Sequence, residues 1–214
     1  MATVFTPPAP ALTTPPAELE RALAALTAAK QAWADLPISA RITILDKVRA
    51  DLRGVEHRWV AAGMAAKGAQ PNTMAEGEEW FALSVLYRLL RYLRKSLVDI
   101  RSGGLPRLPG KVCWKQAGTF QVDLLPQSWH DRLALLGVRA EAWIEDRYHG
   151  DLPAMAAFYR QQHPEGKVVL VLGAGNVASL GPGDFLQKLF VEGCVVLFKT
   201  NPVNAYLGLL LAEG

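Results

Sequence analysis

The chain has 214 residues, of which 50% are hydrophobic and 20% are charged, and its formal net charge is +3. This size and composition predict a globular protein of one or two domains, and so small a net charge does not indicate nucleic acid or an anionic membrane as a partner. The two cysteines, Cys113 and Cys194, lack metal-binding spacing, and no apolar run approaches the roughly 18 residues of a membrane span. We therefore expect a soluble, cytoplasmic protein without a disulfide framework, a metal site, or a nucleic-acid or membrane partner.

The first half of the chain has helical periodicity after a proline-rich start. Residues 1–16 contain no charged side chain and are expected to form a disordered tail. Residues 17–104 are expected to be helical, with apolar residues recurring every three or four positions. The pattern predicts four helices: Ala17 to just before Pro37, Ser39 to Gly54, Val55–Lys67, and about Ala75–Val98.

The fourth predicted helix has a row of basic residues at Arg88, Arg91, Arg94 and Lys95. The favoured interpretation is a solvated helix face whose positive charges lie near the C-terminal end of the helix dipole. A bound phosphate or an acidic partner is the alternative.

Residues 105–150 follow a cluster of glycine and proline and are expected to be rich in strands. Polar and apolar residues alternate in 119–124 and in 138–144, as in half-exposed strands of a hairpin or meander. Residues 151–163 are expected to form a short helix.

Residues 151–214 contain the pattern of one β-α-β unit. The apolar run Val168–Leu172 predicts a buried strand, an amphipathic helix ending near Gly193 follows, and Val195–Phe198 predicts a second strand that leads to Lys199. Two strands joined by a helix in this way are parallel. The fold class expected is therefore α/β: N-terminal helices, a hairpin or meander, and the first, incomplete part of a Rossmann-like parallel sheet.

The turn after the first of these strands reads GAGNVA and matches the permissive dinucleotide pattern G-x-G-x-x-[GA]. Glycines there allow backbone N–H groups to approach a pyrophosphate. Two features oppose the match: Pro182 lies where the helix should already have begun, and no acidic residue ends the second strand. The pattern alone leaves a cofactor loop and a merely tight turn as alternatives.

The same segment resembles the aldehyde dehydrogenase superfamily. Its members carry T-P-W-N after the first strand of the cofactor domain and V-V-L-K-P-S-E after the next, and the interval from Asn176 to Lys199 matches the family's interval without a gap. Upstream, AKQAWADLPISARITILDKV is similar to the family's A-F-x-x-W-x-x-x-P-x-x-x-R-x-x-x-L. The resemblance covers roughly residues 20–100 and 166–214, which would make this chain the N-terminal part of an NAD(P)-binding domain.

The resemblance implies a role for each matching residue. Asn176 would stabilise the oxyanion of the thiohemiacetal, and Lys199 would reach the adenosine ribose of NAD or NADP. The remaining cofactor-lining residues would be Leu172, Gly173, Ala174, Gly175 and Asn201. The substrate would be a small aldehyde, the complete enzyme would be a homo-oligomer, and residues 105–150 could hold its oligomerisation element.

The departures from the family pattern also have consequences. The family's proline and tryptophan are Ala174 and Gly175 here, and its glutamate after the lysine is Pro202, so a 2′-phosphate is easier to admit. The family's nucleophilic cysteine and general-base glutamate lie downstream of the segment seen here, and neither Cys113 nor Cys194 is expected to replace the nucleophile. The chain is therefore expected to be inactive alone. The alternatives are a non-catalytic nucleotide-binding module and an assembly protein.

Overall fold

The computed structural model describes residues 13–108, 110, 112–115, 119–145 and 155–213. The described chain mixes helices and strands, as predicted. Its helices are α1 Pro16–Ala34, α2 Ile38–Lys67, α3 Met74–Gly103, α4 Trp129–Ala134, α5 Leu180–Phe190 and α6 Gly208–Glu213. Its strands are β1 Val112–Lys115, β2 Thr119–Leu125, β3 Ala140–Glu145, β4 Val168–Leu172 and β5 Val195–Lys199, and 3₁₀ helices occupy Phe158–Arg160 and Pro202–Leu207.

The hydrophobic core lies mainly between α2 and α3, two helices of 30 residues each. The predicted break at Gly54 is wrong, because α2 continues through it. Glycine within a helix costs about 1 kcal/mol, whereas burial of a large apolar side chain stabilises by roughly 1.5–3 kcal/mol. Leu52, Val55 and Trp59 are buried on both sides of Gly54, so packing outweighs the local cost. The helix ends where Gly68 adopts the left-handed conformation, with φ of 61°.

The middle of the chain forms a three-stranded antiparallel sheet with the order β1-β2-β3. The two predicted strand regions, 119–124 and 138–144, correspond to β2 and β3 and are confirmed. The short helix predicted over 151–163 is wrong within the described residues, where the chain has only 3₁₀ turns around Phe158–Arg160. Residues 151–154 of that prediction, and 1–12 of the predicted tail, lie outside the described residues.

The predicted β-α-β unit is present, but the expectation that its first strand is buried is wrong: Leu170 and Leu172 are exposed, because the described sheet has only two strands. Strands β4 and β5 pair in parallel, with Val168 opposite Val195 and Leu172 opposite Lys199. Helix α5 connects them and packs on the sheet, with the Phe185 and Phe198 ring centroids 5.2 Å apart. Pro182 is no obstacle, because it is the third residue of α5 and the N–H groups of a first helical turn have no intrahelical partner.

A buried arginine fixes α1 and α2 against α5. Arg41 is 0% exposed, and its guanidinium donates hydrogen bonds to the carbonyls of Leu36 at 3.2 Å, of Leu189 at 3.1 Å, and of Trp33. It also lies 4.6 Å from the centre of the Trp33 ring. The carbonyls of Trp33 and Leu189 belong to the last turns of α1 and α5, where the helix dipole is negative, and that of Leu36 follows α1, so the positive charge is stabilised without a carboxylate. The junction holds the β-α-β unit in place on the helices.

No helix in the described part of the chain is long and apolar enough to cross a membrane.

Candidate functional site

The predicted glycine loop begins where the two parallel strands end. The Gly173 N–H donates to the carbonyl of Lys199 at 2.9 Å, which extends the pairing of β4 and β5 by one step. Ligands of open parallel sheets bind at this edge, beyond the carboxyl ends of the strands. The loop therefore lies at the position where the β-α-β geometry favours a ligand.

Two glycines of the motif are closely packed against neighbouring side chains. A Cβ at Gly173 would lie 3.0 Å from the Phe198 ring, and one at Gly175 would lie 2.9 Å from the Asn201 amide. The loop is further held by Asn204, whose amide nitrogen donates to the carbonyl of Ala174 at 2.9 Å. The glycine pattern thus builds a tight, braced turn, and bracing of this kind suits a loop that must hold a fixed position at a site.

Asn176 is exposed at the end of this turn and lines a cleft of about 720 Å³. This is within the range of small-molecule pockets. One wall comes from the loop and the segment after β5, through Gly175, Val177, Val203 and Tyr206, and the opposite wall comes from the N-terminal part of α3 and the end of α2. The cleft places a side-chain amide in front of a mostly apolar cavity.

The remaining predicted cofactor residues lie elsewhere around the strand ends. Leu172 and Lys199 are exposed side by side on the same face of the parallel pair, because they are register partners. Neither lines the cleft of Asn176, and the Lys199 ammonium lies 3.4 Å from the carbonyl of Thr200. The Asn201 side chain instead accepts from the N–H of Val203 at 3.0 Å and caps the 3₁₀ helix. The predicted set therefore surrounds one sheet edge, but Asn176 alone of its exposed side chains opens into the cleft.

Sequence analysis missed a charged pair at the opposite wall. Glu79 of α3 is only 2% exposed, and one carboxylate oxygen lies 2.7 Å from the ammonium of Lys67 at the end of α2. Its hydrogen bond to Glu79 raises the pKa of Lys67. Glu79 belongs to the row of buried α3 residues that continues through Leu83, Leu86 and Leu90, and an acidic residue in an apolar row is the signal that could have revealed it.

Tyr206 lies at the same cleft and stays protonated at neutral pH. Burial, with a smaller contribution from the Glu79 charge, raises the pKa of Tyr206 to about 12. Its hydroxyl is therefore a hydrogen-bond donor and acceptor rather than a base at neutral pH.

The basic row on α3 is a solvated face only in part: the side chains of Arg94 and Lys95 are 41% and 49% exposed, whereas the other two basic residues bind a buried carboxylate. Arg88 and Arg91 pair with the buried carboxylate of Asp131 in α4, at 3.3 and 3.4 Å, and Tyr92 donates to it at 2.6 Å. Burial raises the pKa of Asp131, but the hydrogen bonds from Tyr92, Arg88 and the Gln127 N–H outweigh burial and hold that pKa well below its usual range. Asp131 belongs to the same chain, so binding of a phosphate or of an acidic partner by this row stays a prediction.

Neither Cys113 nor Cys194 lines the cleft. Cys194 is buried at the start of β5, and burial raises the pKa of its thiol, so it is not an activated nucleophile. Cys113 is exposed on β1 in the antiparallel sheet.

The chain was also compared with protein-family models, with curated proteins and with solved structures, and none of the three comparisons finds a match.

Proposed function

We propose that this chain is the N-terminal part of an NAD(P)-dependent aldehyde dehydrogenase that oxidises an aldehyde to a carboxylic acid. The observation that carries the proposal is the position of Asn176, which follows the end of a parallel strand and opens into a cleft of about 720 Å³. Pockets at the carboxyl ends of parallel strands are the usual ligand sites of α/β sheets. The Rossmann-like character of the unit and its cofactor belong to the same proposal.

In this proposal Asn176 acts on the aldehyde end of the substrate. Its amide N–H₂ donates to the oxygen that becomes negatively charged when a nucleophile attacks the carbonyl carbon. An uncharged donor suits this position because it stabilises the oxyanion without adding a competing charge to a mostly apolar cleft. The nucleophilic cysteine and the glutamate base that the reaction requires are supplied outside these 214 residues.

The dinucleotide would be held by the residues around the strand ends. When bound, NAD or NADP accepts the hydride of the substrate. Lys199 offers its exposed ammonium to the adenosine ribose, Leu172 offers an apolar surface beside it, and backbone around Gly173–Asn176 approaches the phosphates. Asn201 packs beside this loop, because its amide lies 2.9 Å from where a Cβ of Gly175 would stand. Because Pro202 replaces an acidic residue, the ribose can carry either a 2′-hydroxyl or a 2′-phosphate.

A calorimetric titration of the chain with NAD, NADP and ATP tests this proposal. We expect saturable binding of NAD or NADP, and about tenfold weaker binding after Lys199→Ala, a loss of roughly 1.4 kcal/mol. Lys167→Ala is the matched control, because Lys167 is an exposed lysine next to the opposite end of β4. Absence of saturable binding to the folded chain would refute the cofactor assignment, and equal binding of ATP would favour a general nucleotide-binding module.

The antiparallel sheet supports a second function, assembly with another copy of the protein. Large apolar side chains are exposed on and near α4 and β3, namely Trp129, Leu133, Leu136 and Trp143. A concentration of exposed apolar surface is typical of an interaction site. Sedimentation measures this directly: a monomer at high concentration would contradict the homo-oligomer, whereas a dimer lost in Leu133→Glu would support it.

A further inference from the structure

Asn204 makes the hydrogen bonds that hold the loop in front of Asn176. Its amide nitrogen donates to the carbonyl of Ala174 at 2.9 Å and to the carbonyl of Gly175 at the longer distance of 3.4 Å. The amide has two hydrogens, so one side chain serves both carbonyls. These carbonyls belong to the two residues that immediately precede Asn176, and Asn204 reaches them from 30 and 29 positions further along the chain.

The backbone of this loop has few other hydrogen bonds. The pairing of the two strands ends at the Gly173 N–H, and the next backbone bond along the chain is accepted by the carbonyl of Val177. Between these two points, the hydrogen bonds made to the backbone within the described part of the chain come from Asn204. The intervening Ala174 and Gly175 carry no polar side chain that could anchor the loop. The hydrogen bonding of the loop therefore depends on Asn204.

The same contacts fix the direction of two successive peptide groups. Both peptide bonds are trans, so each carbonyl and the N–H that follows it point in opposite directions. Because the carbonyls of Ala174 and Gly175 point at Asn204, the N–H groups of Gly175 and Asn176 point away from it. Neither N–H has a hydrogen-bond partner among the described residues. Asn204 therefore determines which way the backbone at Asn176 faces.

Asn204 is itself held in place by the turn that follows β5. Its N–H donates to the carbonyl of Asn201 at 2.9 Å, and the Asn201 side chain accepts from the N–H of Val203 at 3.0 Å. Asn204 is half-buried and lies in the wall of the cleft. A donor that is fixed in this way restricts the loop more than a mobile side chain would. The support thus runs from the end of β5, through Asn204, to the loop after β4.

We propose that Asn204 is a positioning residue for Asn176. It holds two successive peptide groups in one direction, so that the side-chain amide that follows them faces the cleft. A displacement of about 1 Å in a catalytic group costs about 10²-fold in rate, so the support of this loop has a direct effect on the reaction. The effect of Asn204 on the reaction rests on the proposed function, whereas its effect on the loop does not.

The mobility of the loop in the chain itself is the first test. We expect Asn204→Ala to lower the NMR order parameters of the Gly175 and Asn176 N–H groups from about 0.85 to below about 0.6, the value of a flexible backbone. The control is Asn72→Gly, because Asn72 lies between α2 and α3 and has a left-handed φ of 60° that glycine adopts readily. The control should leave both order parameters unchanged. A loop that stays rigid in Asn204→Ala would overturn the proposal.

Asn204→Asp separates the hydrogen bonds from the space that the side chain fills. A carboxylate has nearly the shape of the amide but donates no hydrogen bond, whereas the protonated acid donates one. We expect a mobile loop at about pH 6.5 and a partly restored loop at about pH 4, close to the ordinary pKa of an aspartate. The loop of the unchanged protein should be equally rigid at both pH values. Equal mobility at both pH values in Asn204→Asp would contradict the proposal.

A double-variant cycle tests the effect on the reaction, in an enzyme that joins this chain to the nucleophilic cysteine. Asn204→Ala should lower kcat by about tenfold. Because Asn204 acts through Asn176, adding Asn204→Ala to Asn176→Ala should lower kcat by less than about twofold further. A further tenfold loss would contradict the positioning role. An unchanged kcat in Asn176→Ala would instead refute the proposed function, and the order parameters would still decide whether Asn204 holds the loop.

Discussion

Two buried charges in this molecule have opposite surroundings. Arg41 is 0% exposed and Glu79 is 2% exposed, so both side chains are removed from solvent. Arg41 directs its nitrogens at helix-end carbonyls, whereas Glu79 leaves one carboxylate oxygen without a partner among the described residues. The Arg41 guanidinium has the partners that a buried charge requires, whereas the unpaired oxygen of Glu79 lies against Gly63 of α2 and makes that helix contact less favourable. Arg41 therefore supports the fold, whereas Glu79 lies in the wall of the candidate cleft.

The first prediction tests how much the buried Arg41 contributes to stability. Arg41→Met leaves the carbonyls of Trp33, Leu36 and Leu189 without their donor, and we expect the free energy of unfolding to fall by about 4 kcal/mol. Urea denaturation followed by circular dichroism measures the change. The control is Arg58→Met, which removes an exposed pair with Glu213 and should leave the midpoint unchanged. A loss below about 1 kcal/mol for Arg41→Met would mean that the junction is not a major support.

The second prediction tests the proposed catalytic role of Asn176 at the cleft. In an enzyme that joins this chain to the nucleophilic cysteine, Asn176→Ala should lower kcat by about 10²-fold, because it removes the oxyanion donor. The KM for the dinucleotide should change little, since Asn176 faces the cleft. Lys199→Ala should show the reverse pattern, with a raised KM for the dinucleotide and a nearly unchanged kcat. Equal, small changes in both parameters for both variants would show that neither residue faces the site.

The third prediction concerns Asp131, a buried carboxylate that is fully paired, unlike Glu79. Asp131→Asn should lower the free energy of unfolding at pH 7 by about 2 kcal/mol, since hydrogen bonds to a charged group are lost. The folded-state pKa of Asp131 is well below the unfolded value of about 3.9, so this contribution is present above that value and is lost as the pH falls below it. Urea denaturation of both proteins across this range is the measurement. A difference that persists unchanged at the lowest pH would contradict the ionic origin.

The smallest expected effect on stability is at Gly63, the residue of α2 on which the Glu79 carboxylate packs. Gly63→Ala should displace the Glu79 carboxylate and lower the free energy of unfolding by about 1 kcal/mol. Gly54→Ala in the same helix is the control: no atom lies within 4 Å of the added Cβ, and the change should stabilise by about 0.5–1 kcal/mol. Urea denaturation of both variants provides the measurement. An unchanged free energy of unfolding in Gly63→Ala would show that the Glu79 carboxylate does not pack this closely on α2.

The sequence predicts the local architecture well and the long-range pairs poorly. Strand β4 and the start of β5 follow from unbroken apolar runs, and their parallel pairing follows from the helix between them. Gly54 and Pro182 misled the helix predictions because each was judged by propensity, whereas burial around Gly54 and the first-turn position of Pro182 decide the outcome. Local preferences depend on a few neighbouring residues, whereas the burial around a residue and its position in a helix depend on the whole fold.

In the candidate site too, features set by neighbouring residues could be predicted, and pairs between distant residues could not. The position of Asn176 at the end of a strand could be predicted, because it depends on the residues around it. The pairing of Arg88 with Asp131 joins residues 43 positions apart, and no periodicity in the chain reveals it. Glu79 was visible as an acid in the buried row of α3, but its vacant oxygen depends on Gly63 and Lys67, which come from another helix.

Crystals of the chain soaked with NAD or NADP give the most direct test of the central claim. The account predicts a dinucleotide across the ends of β4 and β5, with the Lys199 ammonium within about 3.2 Å of a ribose or 2′-phosphate oxygen. The nicotinamide should lie next to the amide of Asn176, at the mouth of the cleft. A dinucleotide bound at another surface, or saturating cofactor that leaves this edge unoccupied, would contradict the account.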